Sequence, residues 1–160
     1  MTNTTTISAG AIEQLLQQVP DPEIPVLSII DLGIVRDIQI EGDGITVYIT
    51  PTYTGCPAMD MIALSIVQLL QQHQYKKVQV KQLLTPAWTT AWITEAGKQK
   101  LLKYGIAPPD KRFSIPQDGV SCPQCGSNNT TLVSAFGSTA CKALYTCKDC
   151  LEPFDYFKCH

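Results

Sequence analysis

The sequence predicts an α+β fold, in which a small mixed sheet packs with helices and is followed by a small C-terminal module built around a metal ion. Three observations predict it. Hydrophobic periodicity in residues 1–105 alternates between the helical and the strand period. A stretch without periodicity, rich in Pro and Gly, follows at 106–120. All but one of the seven cysteines then lie in residues 121–160.

Composition restricts the class of protein. Charged residues make up 16% of the chain, against roughly 25% in average domains, which favours contact with protein partners. The net charge of -2 argues against binding of nucleic acid. Residues 1–6 do not resemble a secretory signal, and no apolar run approaches the ~18 residues of a membrane span. We therefore expect a cytoplasmic protein with no membrane contact, whose thiols are metal ligands or free cysteines.

The first predicted helix leads into a stiff acidic loop. Ser8 can cap a helix whose apolar positions share one face, namely Ile12, Leu15, Leu16 and Val19. Pro20 ends this helix, and the segment Asp21-Pro22-Glu23-Ile24-Pro25 must be extended. Asp21 and Glu23 therefore stand as two carboxylates on a rigid loop. A solvated connector between helix and strand is the alternative interpretation.

A predicted β-hairpin leads to the one cysteine outside the C-terminal region. Alternating apolar residues at 34–40 and 45–49 flank the turn at 41–44. The second strand runs into a turn-rich stretch that delivers Cys56 to the next helix. Pro57 suits the first helical position, which predicts Cys56 at the N-cap, where the helix dipole lowers the pKa of a thiol. A small buried apolar residue is the alternative interpretation of Cys56.

The remaining elements complete a layer of helices on a sheet. Residues 58–72 have the period of a helix, and residues 77–83 alternate as a third strand. Trp88 and Trp92 follow at helical spacing and are interpreted as packing residues. Thr94 can cap a further helix that ends before Gly105. The predicted boundaries are 1–105 for the α+β domain, 106–120 for a linker and 121–160 for the metal module.

The C-terminal module contains two matched cysteine hooks. Each hook is a C-x2-C turn that directs two sulfurs at one centre, and the four residues are Cys122, Cys125, Cys147 and Cys150. Short strands predicted at 128–135, 139–146 and 153–158 form a ribbon too small to fold by hydrophobic burial alone, so a metal ion would supply its stability. The module is thus predicted to be zinc-ribbon-like. Zinc is the expected ion, and iron or an iron-sulfur cluster is the alternative.

Two further cysteines have no partner spacing. Cys141 and Cys147 lie an even number of residues apart, so they share a face if the strand between them is extended. Cys141 can then approach the metal or only pack beside it, and the pattern leaves both readings open. Cys159 can return to the same neighbourhood, and its role is open too.

At this point the residues resemble known families. Asp21-Pro22-Glu23 after a first helix, with Thr54-Gly55-Cys56-Pro57 before the second, resembles the small iron-sulfur assembly domains of the SufT-like family. The tail segments 136–145 and 152–159 resemble the PaaD family, which belongs to the phenylacetyl-CoA epoxidase system. Together these motifs extend over nearly the whole chain.

The resemblance implies an accessory protein of aerobic phenylacetate catabolism that assists iron-sulfur cluster assembly or insertion and is not itself an enzyme. It implies that Cys56 handles a transient cluster and that Asp21 and Glu23 form the family's acidic loop. The implied partners are the reductase or oxygenase subunits of the epoxidase. Whether the chain is a homo-oligomer is open.

Residue patterns of other chemistries are absent from the sequence. There is no phosphate-binding glycine loop, no HExxH and no recognisable catalytic triad, so no catalytic residue is predicted. With two histidines and no Glu-x-x-His pair, the chain cannot hold a di-iron centre by itself. One alternative function is a structural subunit that bridges epoxidase components through its ribbon. An enzyme with Cys56 as nucleophile is disfavoured, because no histidine is placed in sequence to serve as its base.

Overall fold

The computed structural model describes residues 7–109, 116 and 118–158. The chain divides into two compact units, Met1–Trp88 and Thr89–His160. The third helix therefore belongs with the second unit. The boundaries predicted above for the α+β domain, the linker and the metal module stay a prediction.

The first unit is the predicted α+β layer. Its elements are α1 (Ala9–Leu16), β1 (Val35–Glu41), β2 (Gly44–Ile49), α2 (Met59–Gln72) and β3 (Lys77–Gln82). Strands β1 and β2 form an antiparallel hairpin, and β3 pairs in parallel with β2. A parallel neighbour needs a crossover connection, and α2 supplies it. The small mixed sheet predicted from the sequence is confirmed.

Apolar side chains that alternate along β2 and recur at helical spacing in α1 and α2 form one core. The central strand β2 alternates between half-buried and buried positions. The core side chains of β2, α1 and α2 are fully buried, and they are Ile45, Val47, Ile49, Ile12, Leu16, Ile62, Ile66 and Leu70. Ser8 caps α1 as predicted, since its hydroxyl accepts the Ala11 N–H at 3.2 Å.

Trp88 packs as predicted but not on a helix. It precedes a short 3-10 turn, Thr90–Trp92, so the predicted helical spacing of the two tryptophans is wrong. The indole of Trp88 is buried, and its Nε1–H donates to the Leu32 carbonyl oxygen at 2.8 Å. This bond satisfies the polar atom that a buried tryptophan brings into a core.

The second unit places a helix beside a four-stranded sheet. Its elements are α3 (Glu95–Tyr104), β4 (Ile106–Ala107), β5 (Thr130–Ser134), β6 (Lys142–Cys147) and β7 (Pro153–Phe157), with strand order β4-β7-β6-β5. Thr94 caps α3 through the Gly97 N–H at 3.0 Å, and Gly105 ends it at φ 87°. The sequence predicted a linker that includes Ile106–Ala107, whereas the structure places them in β4. Linker residues 110–115 and 117 lie outside the described residues.

Aromatic side chains fill the core of the ribbon. The Tyr145 ring stacks on Phe154 with centroids 5.8 Å apart and meets Tyr156 edge to face at 5.6 Å. The Tyr145 hydroxyl donates to the Pro116 carbonyl oxygen at 2.6 Å. Cys122 and Cys147 are buried against this same cluster. None of the helices in the described ranges is long and apolar enough to cross a membrane.

Candidate metal centre and acidic thiol site

The four hook cysteines of the second unit converge on one point. Their Sγ atoms all lie within 4.8 Å of one another. Cys122 Sγ lies 3.7 Å from Cys150 Sγ, and Cys125 Sγ lies 3.6 Å from Cys147 Sγ. Four sulfurs placed about 2.3 Å from a central zinc ion would be about 3.8 Å apart. The arrangement therefore fits a single tetrahedral ion.

Backbone turns orient these sulfurs. In the first hook, the Cys122 N–H donates to the Ser127 carbonyl oxygen at 2.8 Å, and the Gly126 N–H donates to the Cys122 carbonyl oxygen at 2.9 Å. Gly126 has φ 76°, a left-handed conformation that glycine adopts without cost. In the second hook, the Cys147 N–H donates to the Glu152 carbonyl oxygen at 3.0 Å. Each hook is thus closed by main-chain bonds.

Two cysteines of the same cluster, Cys147 and Cys150, have pKa values shifted in opposite directions. Hydrogen bonds from the backbone N–H groups of Cys150 and Asp149 lower the pKa of Cys147 to about 7. The Glu152 N–H favours the thiolate of Cys150, but burial and the neighbouring thiols outweigh it and raise the pKa of Cys150 to about 12. Four thiolates so close together therefore require a cation, and a divalent metal ion is the cation suited to this donor set.

A carboxylate ties the two hooks together. Asp149, inside the second hook, accepts hydrogen bonds from the Ser127 hydroxyl and from Asn129 Nδ2, the latter at 2.8 Å. The Asn129 carbonyl oxygen in turn accepts the Lys148 N–H at 2.8 Å. These bonds lower the pKa of Asp149, the Ser127 bond most. Asp149 thus fixes the separation of the hooks from outside the sulfur cluster.

Cys141 does not belong to the cluster. Its Sγ is buried and lies 2.9 Å from Thr139 Oγ1, and its carbonyl oxygen accepts the Lys158 N–H at 2.9 Å. An extended run from Cys141 to Cys147 spans roughly 20 Å, so the reading in which Cys141 approaches the metal is wrong. Cys159 lies outside the described residues.

Asp21 anchors the acidic loop of the first unit. Its Oδ1 accepts the N–H groups of Glu23 at 2.9 Å and Ile24 at 2.8 Å, and its own N–H donates to the Leu27 carbonyl oxygen at 2.8 Å. Asp21 is buried. The alternative reading of a solvated connector is therefore wrong for this residue, because a buried carboxylate with two backbone donors is a structural element of the loop.

Tyr53 joins the acidic loop to the thiol. Its hydroxyl donates to Glu23 Oε1 at 2.9 Å and is also in hydrogen-bond contact with Cys56. Burial and the bond to Glu23 raise the pKa of Tyr53, so its hydroxyl stays protonated. This residue was not predicted from the sequence, since a tyrosine in a polar loop has no periodicity to mark it. The structure thus brings Cys56, Glu23 and Asp21 together, with Tyr53 among them.

Two predictions about Cys56 are wrong. Helix α2 begins at Met59 with Ala58 at the N-cap, so Cys56 precedes the cap by two residues. The pKa of Cys56 is raised, not lowered. Desolvation is the main cause. The hydrogen bond from the Ala58 N–H is the next largest effect and favours the thiolate, as does the Tyr53 hydroxyl, but the carboxylates of Glu23 and Asp21 add to desolvation and the pKa stays raised. Cys56 is half-buried, so it is accessible without being fully solvated.

We predict that Glu23→Gln makes Cys56 more reactive. The substitution removes a negative charge that raises the pKa of the thiol, so more thiolate is present at any pH below that pKa. The rate of alkylation of Cys56 by iodoacetamide at neutral pH should rise severalfold, followed by mass spectrometry of the Cys56 peptide. Glu13→Gln, on exposed α1 surface, is the matched control. An unchanged or slower rate in Glu23→Gln would contradict this electrostatic account.

Comparison with known families matches both units separately. Residues 10–81 match the family model described as iron-sulfur cluster assembly protein, and residues 107–158 match the model described as PaaD zinc beta ribbon domain. A solved domain of unknown function, DUF59, from Bacillus anthracis superposes with a TM-score of 0.55 at 23% identity, over 57% of this chain and 89% of that one. This likeness shows the fold alone.

Two proteins with similar sequences carry functional names. An "Fe-S protein maturation auxiliary factor" of Porphyromonas gingivalis is 32% identical over 92 residues, which are 56% of this chain and 87% of that protein. A protein of Escherichia coli (strain K12), named as a "Putative 1,2-phenylacetyl-CoA epoxidase" subunit, is 51% identical over 148 residues, which are 91% of this chain and 89% of that protein. The resemblance noted in the sequence is confirmed, and the chain belongs to the PaaD family.

Proposed function

We propose that this chain is a non-catalytic accessory protein of a phenylacetyl-CoA epoxidase system and assists the assembly or insertion of an iron-sulfur cluster. The observation that carries the proposal is the site in which Cys56 stands beside Glu23 and Asp21, in a domain that matches an iron-sulfur assembly family. The names of the Escherichia coli and Porphyromonas gingivalis relatives support the two halves of the proposal. A cytoplasmic location stays a prediction.

The donor set of this site suits transient binding of iron as cargo. A thiolate is a soft ligand and carboxylates are hard ones, so the site can accept iron without enclosing it as four thiolates do. The raised pKa of Cys56 means that its thiol is protonated at neutral pH, and an arriving iron ion or cluster must displace that proton. Competition with protons weakens binding, which favours release to a client.

A covalent enzyme mechanism has little support at Cys56. The described part of the chain contains one histidine, His73, which is exposed at the C-cap of α2. Helix α2 has 14 residues and is roughly 20 Å long, so the imidazole and the thiol lie at opposite ends of it. No histidine of the described residues is therefore placed to act as a base for Cys56.

We assign zinc to the four-cysteine cluster, with iron or an iron-sulfur cluster as the alternative. The closed set of four thiols, with sulfur separations near those of a tetrahedral ion, is suited to a permanent structural metal. The ribbon then serves as a rigid docking module toward the reductase or oxygenase subunits. A structural subunit that bridges these components is the second candidate function, and the match of residues 107–158 to a ribbon family favours it.

Cys56→Ser tests the proposal in cells that lack the native gene. Iron and acid-labile sulfide of the purified epoxidase reductase should fall severalfold, and ring epoxidation should fall with them, because the serine hydroxyl is a poor iron ligand. Thr54→Ala, in the same loop and exposed, is the matched control and should have no effect. Full cluster content in Cys56→Ser, together with stoichiometric co-purification with the oxygenase, would favour the structural subunit instead.

A further inference from the structure

The connection between β2 and α2 contains a tight turn that places Tyr53 next to Cys56. The Cys56 N–H donates to the Tyr53 carbonyl oxygen at 3.2 Å, which closes a turn of four residues. Gly55, the third residue of this turn, has φ 75°, the left-handed conformation that a type II turn requires there. A Cβ atom on Gly55 would meet no atom within 4 Å, so the backbone conformation calls for glycine and the available space does not. A local turn thus holds Tyr53 and Cys56 together.

Glu23 reaches the same place from a distant loop and is held at both ends. Its backbone N–H donates to Oδ1 of the buried Asp21 at 2.9 Å. Its side-chain Oε1 accepts the hydroxyl of Tyr53, 30 positions later in the chain, at 2.9 Å. A half-buried glutamate has several rotamers open to it, and a hydrogen bond at its far end selects among them. The Tyr53 hydroxyl therefore fixes where the Glu23 carboxylate lies.

The hydroxyl that holds Glu23 is also in hydrogen-bond contact with Cys56. A phenol oxygen can donate one hydrogen bond and accept others, so it can serve both partners at once. The negative charge of Glu23 acts on the thiol, since it helps to raise the pKa of Cys56. Such an effect weakens as two charged groups move apart. Tyr53 is thus the side chain through which the acidic loop and the thiol are kept close together.

We propose that Tyr53 is a positioning residue of the cluster-handling site, whose hydroxyl holds the Glu23 carboxylate beside the Cys56 thiol so that one sulfur and one oxygen bind the same iron. Two ligands that folding has already ordered bind an ion more tightly than two that must be ordered on binding. The identity of the metal rests on the proposed function. The positioning of Glu23 by Tyr53 does not, so the two can be tested separately.

A double-mutant cycle on the reactivity of Cys56 tests the positioning without any metal. Glu23→Gln should speed alkylation by iodoacetamide severalfold in the wild-type background, but by less than about twofold in Tyr53→Phe, where Glu23 no longer stays beside the thiol. Tyr48→Phe is the matched control, because the Tyr48 hydroxyl also donates to a side-chain oxygen, Gln39 Oε1 at 3.1 Å, on the sheet of the same unit. It should leave the Glu23→Gln effect at full size. An equal effect of Glu23→Gln in the wild-type and Tyr53→Phe backgrounds, including no effect in either, would overturn the proposal.

Titration with Co²⁺ tests whether this positioning serves a metal ion. The full chain with zinc in the ribbon is titrated without oxygen, and the thiolate-to-cobalt absorption is measured against Cys56→Ser, which supplies the background from the ribbon. The dissociation constant of the Cys56-dependent signal should rise severalfold in Tyr53→Phe and by a similar factor in Glu23→Gln, whereas Tyr48→Phe should match the wild type. Wild-type affinity in Tyr53→Phe would overturn the proposal.

Failure of the proposed function would give a different result. A wild-type protein without any Cys56-dependent cobalt signal would overturn metal binding at this thiol, and with it the proposed function and the iron-binding part of the inference. The alkylation cycle would still decide whether Tyr53 positions Glu23, because that measurement requires no metal.

Discussion

Cys125→Ser should release the metal from the ribbon and unfold it, while the first unit keeps its fold. Cys125 is the exposed member of the four cysteines, so its replacement changes little packing and reports its role as a ligand. Structural zinc contributes on the order of 10 kcal/mol to the folding of small metal modules, and a serine hydroxyl cannot replace a thiolate ligand. Without the ion, the three remaining cysteines would have no cation to hold them together as thiolates.

Three measurements follow this outcome. Bound metal per chain, measured by mass spectrometry of the elements, should fall from about one to near zero. The near-ultraviolet circular dichroism of the Tyr145, Phe154 and Tyr156 cluster should be lost, and proteolysis should remove the second unit. Lys148→Ala changes an exposed side chain inside the second hook and should retain the metal. A Cys125→Ser protein with full metal and an intact aromatic signal would show that this thiol is not a ligand.

The nature of the ion is measured in the same preparations. Zinc at about one per chain, in colourless protein purified without oxygen, would exclude a cluster in the ribbon and would support Cys56 as the thiol that handles a cluster. Iron with sulfide, and visible absorption that disappears in Cys125→Ser, would assign the cluster to the ribbon instead. The two thiol sites are therefore separable by one spectrum of each variant.

Local signals in the sequence predicted most elements of this fold. Ser8 and Thr94 cap helices because a hydroxyl beside free N–H groups is a purely local interaction. The two C-x2-C hooks predicted the sulfur cluster, because their spacing alone directs four thiols toward one centre. Features of this kind depend on neighbours in the chain and do not require knowledge of tertiary contacts.

Long-range contacts explain what the sequence could not predict. Strand β4 is two residues long and exists because it pairs with β7 nearly fifty positions later in the chain. The pKa of Cys56 was predicted with the wrong sign, because its burial and the nearby Glu23 carboxylate come from packing against a loop distant in sequence. Tyr53 became visible only as the hydrogen-bond partner of Glu23. Tertiary packing brings the residues of the Cys56 site together, and hydrophobic periodicity in the sequence gives no information about such contacts.

Asp21→Ala should destabilise the first unit by about 3 kcal/mol, because it leaves the N–H groups of Glu23 and Ile24 without an acceptor, at about 1–3 kcal/mol for each buried group. Asp21→Asn keeps an acceptor oxygen in the same place and should cost about 1 kcal/mol, the part due to the charge. Urea unfolding of both variants, at constant slope, measures the difference. Equal destabilisation by alanine and asparagine would contradict the acceptor role.

The same pair separates support of the loop from handling of iron. If the carboxylate of Asp21 acts on the cluster through its charge, Asp21→Asn should lower the cluster content of the reductase even though its fold is retained. Full cluster content in Asp21→Asn would assign Asp21 to loop structure alone and leave Glu23 as the carboxylate of the site. Since the amide oxygen of asparagine can take the place of Oδ1, the comparison changes charge while the hydrogen-bond geometry at Glu23 and Ile24 stays the same.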